Sequence, residues 1–372
     1  MRTVAHCVSP YLFTNGQWIY AQMTGLQRYR PVVLTQQAQN LDAFPLETVH
    51  DASRRGLVPR LLNRAYRKIT GEYAFYQPLL QRERACLIHA HFGFEGSRCL
   101  GAQRRSRLPL LTTFYGADAS SYAGHPYWRR RYRQLFDAGA GFIVEGGAMA
   151  QRLAAIGCPP EKIRVCHLGV DLDRIPFRPR GRPAAVRFLI CAGFREKKGI
   201  PYALAALGRI ATQGDPPFAV TLIGDGPERP AVEAAIAEHG LQDRVEALGA
   251  LPYAQVLEQL GRCDVLLQPS VTAADGDTEG GAPVILLDAQ ADGIPVVATH
   301  NADIPEYVVA GATGLLAPER DVEALADRIR LILAWDSARW EQTGSAGRRH
   351  VEANYNAERQ RAALEDLYDE FA

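Results

Sequence analysis

The 372-residue chain lacks several features that would assign it to a simple class. Its seven cysteines are far apart, without the C-x-x-C spacing of a zinc ribbon or redox pair, which predicts free thiols in a reducing cytosol. The segment after Met1 has no apolar signal core, and no apolar run approaches the ~18 residues that span a bilayer. With 42 basic and 41 acidic side chains, no overall field would attract a polyanion such as duplex DNA. We therefore expect a cytoplasmic protein with no nucleic-acid partner.

Short apolar runs alternate along the chain with helix-length amphipathic stretches. This alternation is typical of parallel sheets covered by helices, and it predicts an α/β protein. A chain of this length can bury two cores. We predict strands at 32–35, 87–90, 110–114, 141–144 and 163–166 in the first half, and at 187–192, 219–223, 245–248, 265–269, 295–298 and 314–317 in the second.

One segment interrupts the alternation and predicts a domain boundary. Residues 174–183, RIPFRPRGRP, combine three prolines with four arginines and show no periodicity. We predict an N-terminal domain at 1–173, a linker at 174–184 and a C-terminal domain at 185–345. A helix at 357–372 is long enough to pack back on the first domain.

The stretch 54–68 is rich in arginine, interleaved with leucine and tyrosine. A basic amphipathic helix of this kind can rest on an anionic membrane, which would give the protein a peripheral position at the inner face of the membrane. A solvated helix face is the alternative, because polar and acidic residues interrupt the surrounding region.

The segment 275–298, DGDTEGGAPVILLDAQADGIPVVA, is the richest in chemical groups. Its Glu-Gly-Gly-Ala-Pro run predicts a turn into a helix, where glycines let the backbone approach a ligand and proline suits the first helical turn. Free amides and the helix dipole would hold a phosphate there. An acidic loop before an ordinary helix is the alternative. We predict Glu279 near sugar hydroxyls, Asp288 near ribose hydroxyls, and a "donor turn" formed by Gly280, Gly281, Ala282 and Pro283.

A second turn, the "basic turn" at 192–199, has the sequence AGFREKKG and lies between a predicted strand and a predicted helix. Cations beside a glycine turn suit a diphosphate leaving group, on which negative charge builds as the glycosidic bond breaks. Gly193, Arg195 and Lys198 are its candidate residues. A solvated basic loop is the alternative.

Two strand ends in the first half carry further polar groups. His91 ends the run HAH, and Tyr115 follows the run TTF. Because parallel sheets bind ligands at the carboxyl ends of their strands, both are candidate site residues. A histidine that is merely hydrogen-bonded structure is the alternative. Gly16, in the loop 13–18, is a candidate for close backbone approach to a ligand, and an ordinary turn is the alternative there.

These segments together resemble the retaining glycosyltransferases of the GT-B fold, in the large fourth family that builds bacterial exopolysaccharides, lipopolysaccharides and glycolipids. The acidic segment is similar to that family's two-carboxylate motif, although eight residues, not seven, separate Glu279 from Asp288. The basic turn is similar to the family's G-R-x-x-E-K-K-G turn. Lys198 matches its phosphate lysine. Phe194 stands where the family has an arginine, and Arg195 would take over the role of that arginine.

The resemblance extends to the first half and to the nucleotide base. The HAH run is similar to a turn whose histidine faces the transferred sugar, so His91 matches, and Tyr115 stands where a second histidine is common. A hydroxyl could substitute if that histidine only donates a hydrogen bond. The turn at Leu251 is similar to one that sits beside the base. The resemblance runs from about residue 85 onward.

The resemblance implies a GT-B fold, with two Rossmann-like doubly wound parallel-sheet domains facing a central cleft. The N-terminal domain would be the acceptor side, and the C-terminal domain at 185–345 would bind the nucleotide-sugar donor. It implies transfer of a sugar, with retention, from a nucleotide-sugar donor, UDP or GDP, to a saccharide or lipid-linked saccharide in surface polysaccharide or glycoconjugate biosynthesis. We expect no metal or other cofactor, because Lys198, Arg195 and the donor turn would neutralise the diphosphate. A nucleotide-sugar 2-epimerase and a non-catalytic sugar-binding protein are the alternatives. A dehydrogenase ranks last, because Arg229 replaces the third glycine of the dinucleotide fingerprint.

Overall fold

The chain divides into two units in the computed structural model, which describes residues 1–14, 16–212 and 217–372. Unit 1 comprises residues 1–169 and 357–372, and unit 2 comprises residues 170–356. Asn15, in the loop that contains Gly16, lies outside the described residues. The boundary at 169/170 places the predicted linker, residues 174–184, inside unit 2. Arg178 and Arg180 of that segment both form ion pairs with the buried Asp292, which explains why it packs on unit 2.

Unit 1 is built on a seven-stranded parallel sheet with the strand order β3-β2-β1-β4-β5-β6-β7. Its strands are β1 (Arg2–Cys7), β2 (Tyr29–Thr35), β3 (Val49–Asp51), β4 (Ala85–His91), β5 (Leu110–Thr113), β6 (Gly141–Val144) and β7 (Ile163–Val165). The helices that connect them are α1 (Gln17–Met23), α2 (Leu57–Thr70), α3 (Tyr76–Arg82), α4 (Gly93–Ser106), α5 (Ser121–Gly124), α6 (Pro126–Ala138) and α7 (Gly147–Ala155).

Both faces of this sheet are covered, which is why its strands are apolar at consecutive positions rather than at alternate ones. In β1, Ala5 and Cys7 join the buried cluster under the helices that follow β3 and β4. Val4, directly before Ala5, points to the opposite face and packs with Leu364 and Tyr368.

The opposite face of unit 1 is covered by a helix from much later in the chain. After the whole of unit 2, the helix α15 (Ala357–Phe371) returns to this sheet. The carboxylate oxygen Glu365 Oε1 accepts hydrogen bonds from the amides of Gln27, Arg28 and Tyr29 at 2.8, 2.7 and 3.3 Å. The segment 357–372 is therefore a structural part of unit 1.

Unit 2 has a six-stranded parallel sheet with the order β10-β9-β8-β11-β12-β13. Its strands are β8 (Val186–Cys191), β9 (Phe218–Ile223), β10 (Val245–Gly249), β11 (Val265–Gln268), β12 (Val296–Thr299) and β13 (Gly314–Ala317). Its helices are α8 (Ile200–Thr212), α9 (Arg229–Glu238), α10 (Tyr253–Arg262), α11 (Ile285–Asp292), α12 (Ile304–Tyr307), α13 (Val322–Leu333) and α14 (Ser337–Asn354).

Every predicted strand coincides with an observed one, with ends that differ by up to three residues, and the predicted α/β class with two doubly wound sheets is confirmed. In both sheets the strand order reverses direction beside the first strand of the unit, so the ends of β1 with β4 and of β8 with β11 are topological switch points. Ligands bind at such points in open parallel sheets. The central cleft between the domains stays a prediction.

Two further observations concern membranes and thiols. Within the residues that the structure describes, no helix is both long and apolar enough to cross a membrane. All seven cysteines are free thiols, as their spacing predicted.

Candidate functional site

The basic turn and the acidic segment of unit 2 meet at a buried ion pair. Lys198 Nζ lies 2.6 Å from Glu279 Oε2, and the exposed fractions of the two side chains are 17% and 4%. The other carboxylate oxygen, Glu279 Oε1, accepts a hydrogen bond from the Ser270 hydroxyl at 2.6 Å, and the Gln268 amide nitrogen lies 3.4 Å away. The fold thus joins two of the predicted site residues that are 81 positions apart in the sequence.

The charge state of Glu279 follows from these contacts. Burial alone would raise the pKa of its carboxyl group, but the nearby ammonium groups of Lys198 and Lys197 and the hydrogen bond from Ser270 outweigh burial and lower it. Glu279 is therefore a carboxylate at neutral pH. The site presents a fixed negative charge directly beside a fixed positive charge.

A glycine lets the basic turn come this close to the acidic segment. Gly199 has φ +60°, and a Cβ at this position would lie 1.9 Å from the carbonyl oxygen of Pro269. The Val271 amide donates to the Lys197 carbonyl at 2.8 Å beside it. A larger residue at 199 would push the turn away from the segment that follows β11, and would separate Lys198 from Glu279.

Further contacts fix the acidic segment on both sides of Glu279. Lys197 Nζ lies 3.1 Å from Asp277 Oδ2 and donates to the Thr278 carbonyl at 2.9 Å. On the other side, the Glu279 amide donates to Asn301 Oδ1 at 3.2 Å, and the Asn301 side chain donates to Glu319 at 2.6 Å. Each of these groups is charged or buried, so the segment has a defined conformation before any ligand binds.

The donor turn keeps part of the hydrogen-bonding capacity that the sequence predicted. Gly280 has φ +82°, and its amide is used internally, because it donates to Thr278 Oγ1 at 3.0 Å. Within the described part of the chain, the structure records no protein acceptor for the amides of Gly281 and Ala282. Pro283 follows them, and α11 begins at Ile285. Two amides just before a helix N-terminus are therefore available to an anion.

Asp288 lies apart from Glu279, inside α11. Its carboxylate accepts a hydrogen bond from the Tyr253 hydroxyl at 3.0 Å. Burial raises the pKa of Asp288 to about 7, although the Tyr253 hydrogen bond opposes the shift. Asp288 therefore exchanges a proton near neutral pH and can either accept or donate a hydrogen bond there.

The remaining predicted donor residues occupy different environments. Phe194, which stands where the family has an arginine, is a core residue of unit 2. Arg195 is exposed, and its carbonyl accepts from the Lys198 amide at 2.9 Å, so its side chain is on the solvent side of the turn. Gly193 is exposed, and Leu251 is half-buried after β10. The fold does not bring these residues into the Lys198–Glu279 pair.

In unit 1, three histidines form a fully buried cluster at the ends of β1 and β4. His6 Nδ1 lies 3.0 Å from His91 Nε2, and His91 Nδ1 lies 2.6 Å from the Tyr115 hydroxyl. His89 contacts the hydroxyls of Tyr368 and Thr113, each at 2.7 Å. Five of the six ring nitrogens are thus hydrogen-bonded, and only His6 Nε2 has no partner in the described structure.

Burial lowers the pKa of all three rings, that of His89 to about 3, so the cluster is neutral at physiological pH. One nitrogen from each ring lies within 4.8 Å of the others, which is close enough for the three to share a metal ion. Such an ion would have to displace the hydrogen bonds to Tyr115, Tyr368 or Thr113. The neutral, hydrogen-bonded form accounts for the observed contacts without one.

The geometry changes the role that the sequence suggested for His91. With both nitrogens bonded and no exposed surface, its ring has no free atom for a ligand. Tyr115 is 8% exposed and its hydroxyl also lies 3.4 Å from Gln22 Oε1. Of the pair, Tyr115 is the member nearer to solvent.

Two neighbouring features fix the strand ends. The Asp118 carboxylate accepts from the amides of Gly93, Tyr115 and Gly116 at 2.8 to 3.0 Å. Gly16 precedes α1 with φ −82°, and a Cβ there would lie 3.0 Å from the Leu12 side chain, so close packing explains this glycine.

Sequence reasoning missed several residues that complete the site. Ser270 and Lys197 had a signal, since both are polar residues directly beside predicted motifs. Asn301 and Glu319 follow the later strands β12 and β13, and His6 lies within β1, which was not among the predicted strands. Their contacts depend on strand order, which the motifs do not contain.

Comparison with known proteins gives matches over both units. The family model described as Glycosyl transferases group 1 matches residues 178–350, and that described as Glycosyltransferase Family 4 matches residues 21–174. An amylovoran biosynthesis glycosyltransferase of Erwinia amylovora is 34% identical over 73% of this chain and 67% of its own length. A protein of Escherichia coli, named as a candidate colanic acid biosynthesis glycosyltransferase, is 37% identical over 73% of this chain and 68% of its own length.

Solved structures give the same fold. The Anabaena protein HepE, in a crystal with UDP and glucose, matches with a TM-score of 0.80 and 18% identity over 100% of both chains. Sucrose-phosphate synthase from Thermosynechococcus elongatus matches with a TM-score of 0.78 and 20% identity, over 100% of this chain and 99% of that protein. At these identities the likeness shows the architecture, which is that of the predicted α/β class.

Proposed function

This chain belongs to the group 1 glycosyltransferases, and we propose that it transfers a sugar from a UDP- or GDP-sugar to a saccharide or lipid-linked saccharide, with retention of the anomeric configuration. It is therefore a glycosyl-transferring enzyme. The relatives named for amylovoran and colanic acid biosynthesis support a reaction in exopolysaccharide assembly.

The observation that carries the proposal is the buried pair of Lys198 and Glu279 beside the donor turn. When the glycosidic bond to a nucleoside diphosphate breaks, negative charge develops on the phosphate oxygens. A cation and free amides that are already oriented stabilise that charge without reorganisation. We assign this role to Lys198, with the amides of Gly281 and Ala282 as further donors.

The two carboxyl groups would bind the two ends of the donor. Glu279, a carboxylate held by Lys198 and Ser270, can accept hydrogen bonds from hydroxyls of the transferred sugar. Asp288 lies deeper in α11, and its protonation near pH 7 allows it to exchange hydrogen bonds with ribose hydroxyls. Leu251 would pack beside the base, and the exposed Arg195 and Gly193 would reach the diphosphate from the solvent side.

We propose that no metal ion is needed. The charge that a divalent cation would supply at the diphosphate would come from Lys198 and the exposed Arg195, supplemented by the amides of the donor turn. In a retaining reaction, acceptor and leaving group lie on one face of the sugar. The departing diphosphate can then help to remove the acceptor's proton.

In unit 1, we propose that Tyr115 rather than His91 contacts the sugar. The Tyr115 hydroxyl is fixed by the buried His91 ring at 2.6 Å, and it is the more exposed of the two. His91 is then a positioning residue. Gly16, at the start of α1, is the proposed point of close backbone approach.

A ligand screen followed by a turnover assay tests the proposal. We expect UDP or GDP, but not ADP or dTDP, to raise the thermal midpoint, because a ligand at 100 times its Kd stabilises a protein by about 2.7 kcal/mol. The matching donor should release nucleoside diphosphate only when an acceptor saccharide is present. An epimerised donor formed without acceptor, or nucleotide binding without any release, would instead support the epimerase or the non-catalytic reading.

A lipid-linked acceptor is found at a membrane. We therefore include a peripheral membrane contact through the basic stretch 54–68 in the proposal.

A further inference from the structure

Helix α2 (Leu57–Thr70) rests on unit 1 through a narrow polar face. Asn63 donates to Gln36 Oε1 at 2.6 Å and accepts from the Ala74 amide at 3.1 Å. Tyr66 accepts a hydrogen bond from Arg105 at 3.2 Å, and the Thr70 carbonyl accepts one from Arg131 at 3.3 Å. Residues 63, 66 and 70 lie on one side of a helix, and they are the only half-buried residues of α2.

The apolar face of α2 points away from the unit to which it is attached. At 100° per residue, the leucine, valine, alanine and isoleucine side chains span about 140° of the helix, opposite the polar contact face. No residue of α2 is buried. The large apolar side chains are exposed by 55 to 84%: Leu57, Val58, Leu61, Leu62 and Ile69. Helices of globular proteins normally direct this face to the core, so its outward position indicates a partner.

The rest of the α2 surface is basic, and no acidic residue occurs between positions 56 and 71. Arg105 of α4 lies beside α2, because it donates to the Tyr66 hydroxyl. Residues 54–133 contain 16 basic and 4 acidic side chains in a chain with a net charge of +1, so the positive charge is concentrated in this part of the sequence. The exposed cations of α2 are Arg60, Arg64, Arg67 and Lys68.

We infer that α2 is an interfacial helix that inserts its apolar face into an anionic phospholipid bilayer, while the exposed cations of the same helix bind lipid headgroups beside it. An anionic bilayer offers both components that this surface requires: an apolar layer for the leucines and negative charge for the cations. A nucleic acid would satisfy only the charges and would leave five aliphatic side chains in water. The inference deepens the proposed function, on which it rests for the reason why a transferase should visit a membrane.

Vesicle co-sedimentation of the full chain tests the inference without donor or acceptor. The probes are phosphatidylcholine vesicles with and without about one-third phosphatidylglycerol. We expect binding to the anionic vesicles only, weakened at about 1 M NaCl, where the screening length falls to roughly 3 Å. Reversal of two charges in R60E/R64E should lower the partition coefficient by about 25-fold or more, at roughly fivefold per cation.

The apolar component is tested separately. The variant L61S/L62S keeps every cation, and it should still lose at least tenfold in partition because the inserted side chains supply apolar transfer energy. The matched controls are L331S, an exposed leucine of α13 in unit 2, and R349E, an exposed arginine of α14. Both should bind vesicles like the wild type. All replaced side chains are exposed, so thermal midpoints should stay unchanged.

Each other outcome would overturn the inference. Equal binding to neutral and anionic vesicles would exclude the role of the cations, and a normal partition of L61S/L62S would exclude insertion of α2. Retention of a nucleic acid or a protein with no vesicle binding would assign the surface to that partner instead. Because the assay contains no sugar donor, a chain that binds vesicles but transfers no sugar refutes the proposed function alone. One that transfers sugar to a soluble acceptor but ignores vesicles refutes the membrane contact and leaves the proposed transfer reaction standing.

Discussion

Replacing Lys198 by methionine tests the electrostatic basis of the site, because methionine keeps most of the side-chain volume and removes the charge. In the wild type, the ammonium group lies 2.6 Å from the almost fully buried Glu279 carboxylate. Removing one partner of a buried ion pair costs about 3–5 kcal/mol when the other charge stays buried. The Ser270 hydroxyl, which still donates to Glu279, should keep the cost near the lower end.

The cost should depend on pH with a definite sign. In the wild type the pKa of Glu279 is lowered, so its contribution to stability is present above the pKa of an unfolded glutamate and is lost as pH falls through the folded value. Without Lys198, burial dominates and raises that pKa. The folded variant then holds a proton that the unfolded chain releases, and its stability decreases as pH rises. We expect K198M to be more destabilised at pH 8 than at pH 5.

Turnover should fall by about 10²–10³-fold, the effect of removing one oriented donor to a developing negative charge. The assays are urea unfolding at both pH values and release of nucleoside diphosphate with saturating acceptor. Lys197→Met is the matched control. Its partner Asp277 retains more contact with solvent than Glu279 does, so we expect smaller losses of both stability and turnover.

The double variant K198M/E279Q separates charge from shape. Neutralising the unpaired carboxylate should recover much of the stability and none of the turnover. Our reasoning fails if K198M turns over like the wild type, if its destabilisation is the same at pH 5 and pH 8, or if K197M reproduces both losses.

Three further perturbations address other parts of the fold. Because burial raises the pKa of Asp288 to about 7, wild-type stability should fall relative to D288N as pH rises from about 4 to 7, by up to about 1.4 kcal/mol per pH unit in urea unfolding. Tyr115→Phe leaves a buried histidine nitrogen without its partner and should cost about 1–3 kcal/mol, whereas Tyr132→Phe, which removes a buried hydroxyl that has no partner, should be nearly neutral. Gly240→Ala, at φ +63° in open space, should lower the free energy of unfolding only by the ~1–2 kcal/mol of left-handed backbone strain. Gly199→Ala should lower it by well over that amount, because its Cβ would also meet the Pro269 carbonyl oxygen.

Three results would contradict these expectations. A constant stability difference between D288N and wild type over that pH range would mean that the carboxyl group is ionised throughout. Equal thermal midpoints for the two phenylalanine variants would remove the energetic role of the tyrosine–histidine hydrogen bond. If alanine at 199 were tolerated as well as alanine at 240, the close approach to the Pro269 carbonyl would not constrain the basic turn.

The sequence predicted the parts of the fold that depend on local pattern. Strands that are buried on both faces appear in the sequence as short apolar runs. This pattern can be recognised without knowing which strands are neighbours in the sheet, and all eleven predicted strands are present. The predicted set includes neither β1 nor β3. The three residues of β3, Val49–Asp51, are polar or half-buried at the sheet edge and leave no apolar run.

The site was predicted only as far as its motifs extend. Lys198 and Glu279 could be named from their turns, but their 2.6 Å contact requires β8 and β11 to be neighbours, which is a property of strand order. His91 was identified as a site residue, yet its burial between His6 and Tyr115 depends on the parallel register of β1 and β4. The sequence also could not decide whether the apolar face of α2 points outward. Periodicity shows that a helix has an apolar and a polar face, but not which of them contacts the rest of the protein.

The return of α15 to unit 1 has a consequence for biosynthesis. The ribosome completes all seven strands of the first sheet, then makes the whole of unit 2, and only afterwards supplies Leu364, Glu365 and Tyr368. At about 5–20 residues per second, the part of the nascent sheet that α15 will cover stays bare for about 10–40 s. We expect the contiguous second unit to finish folding first, and nascent chains stalled after residue 356 to be cleaved by protease within unit 1 before unit 2. Equal resistance of both units in such stalled chains would show that the sheet does not wait for its last helix.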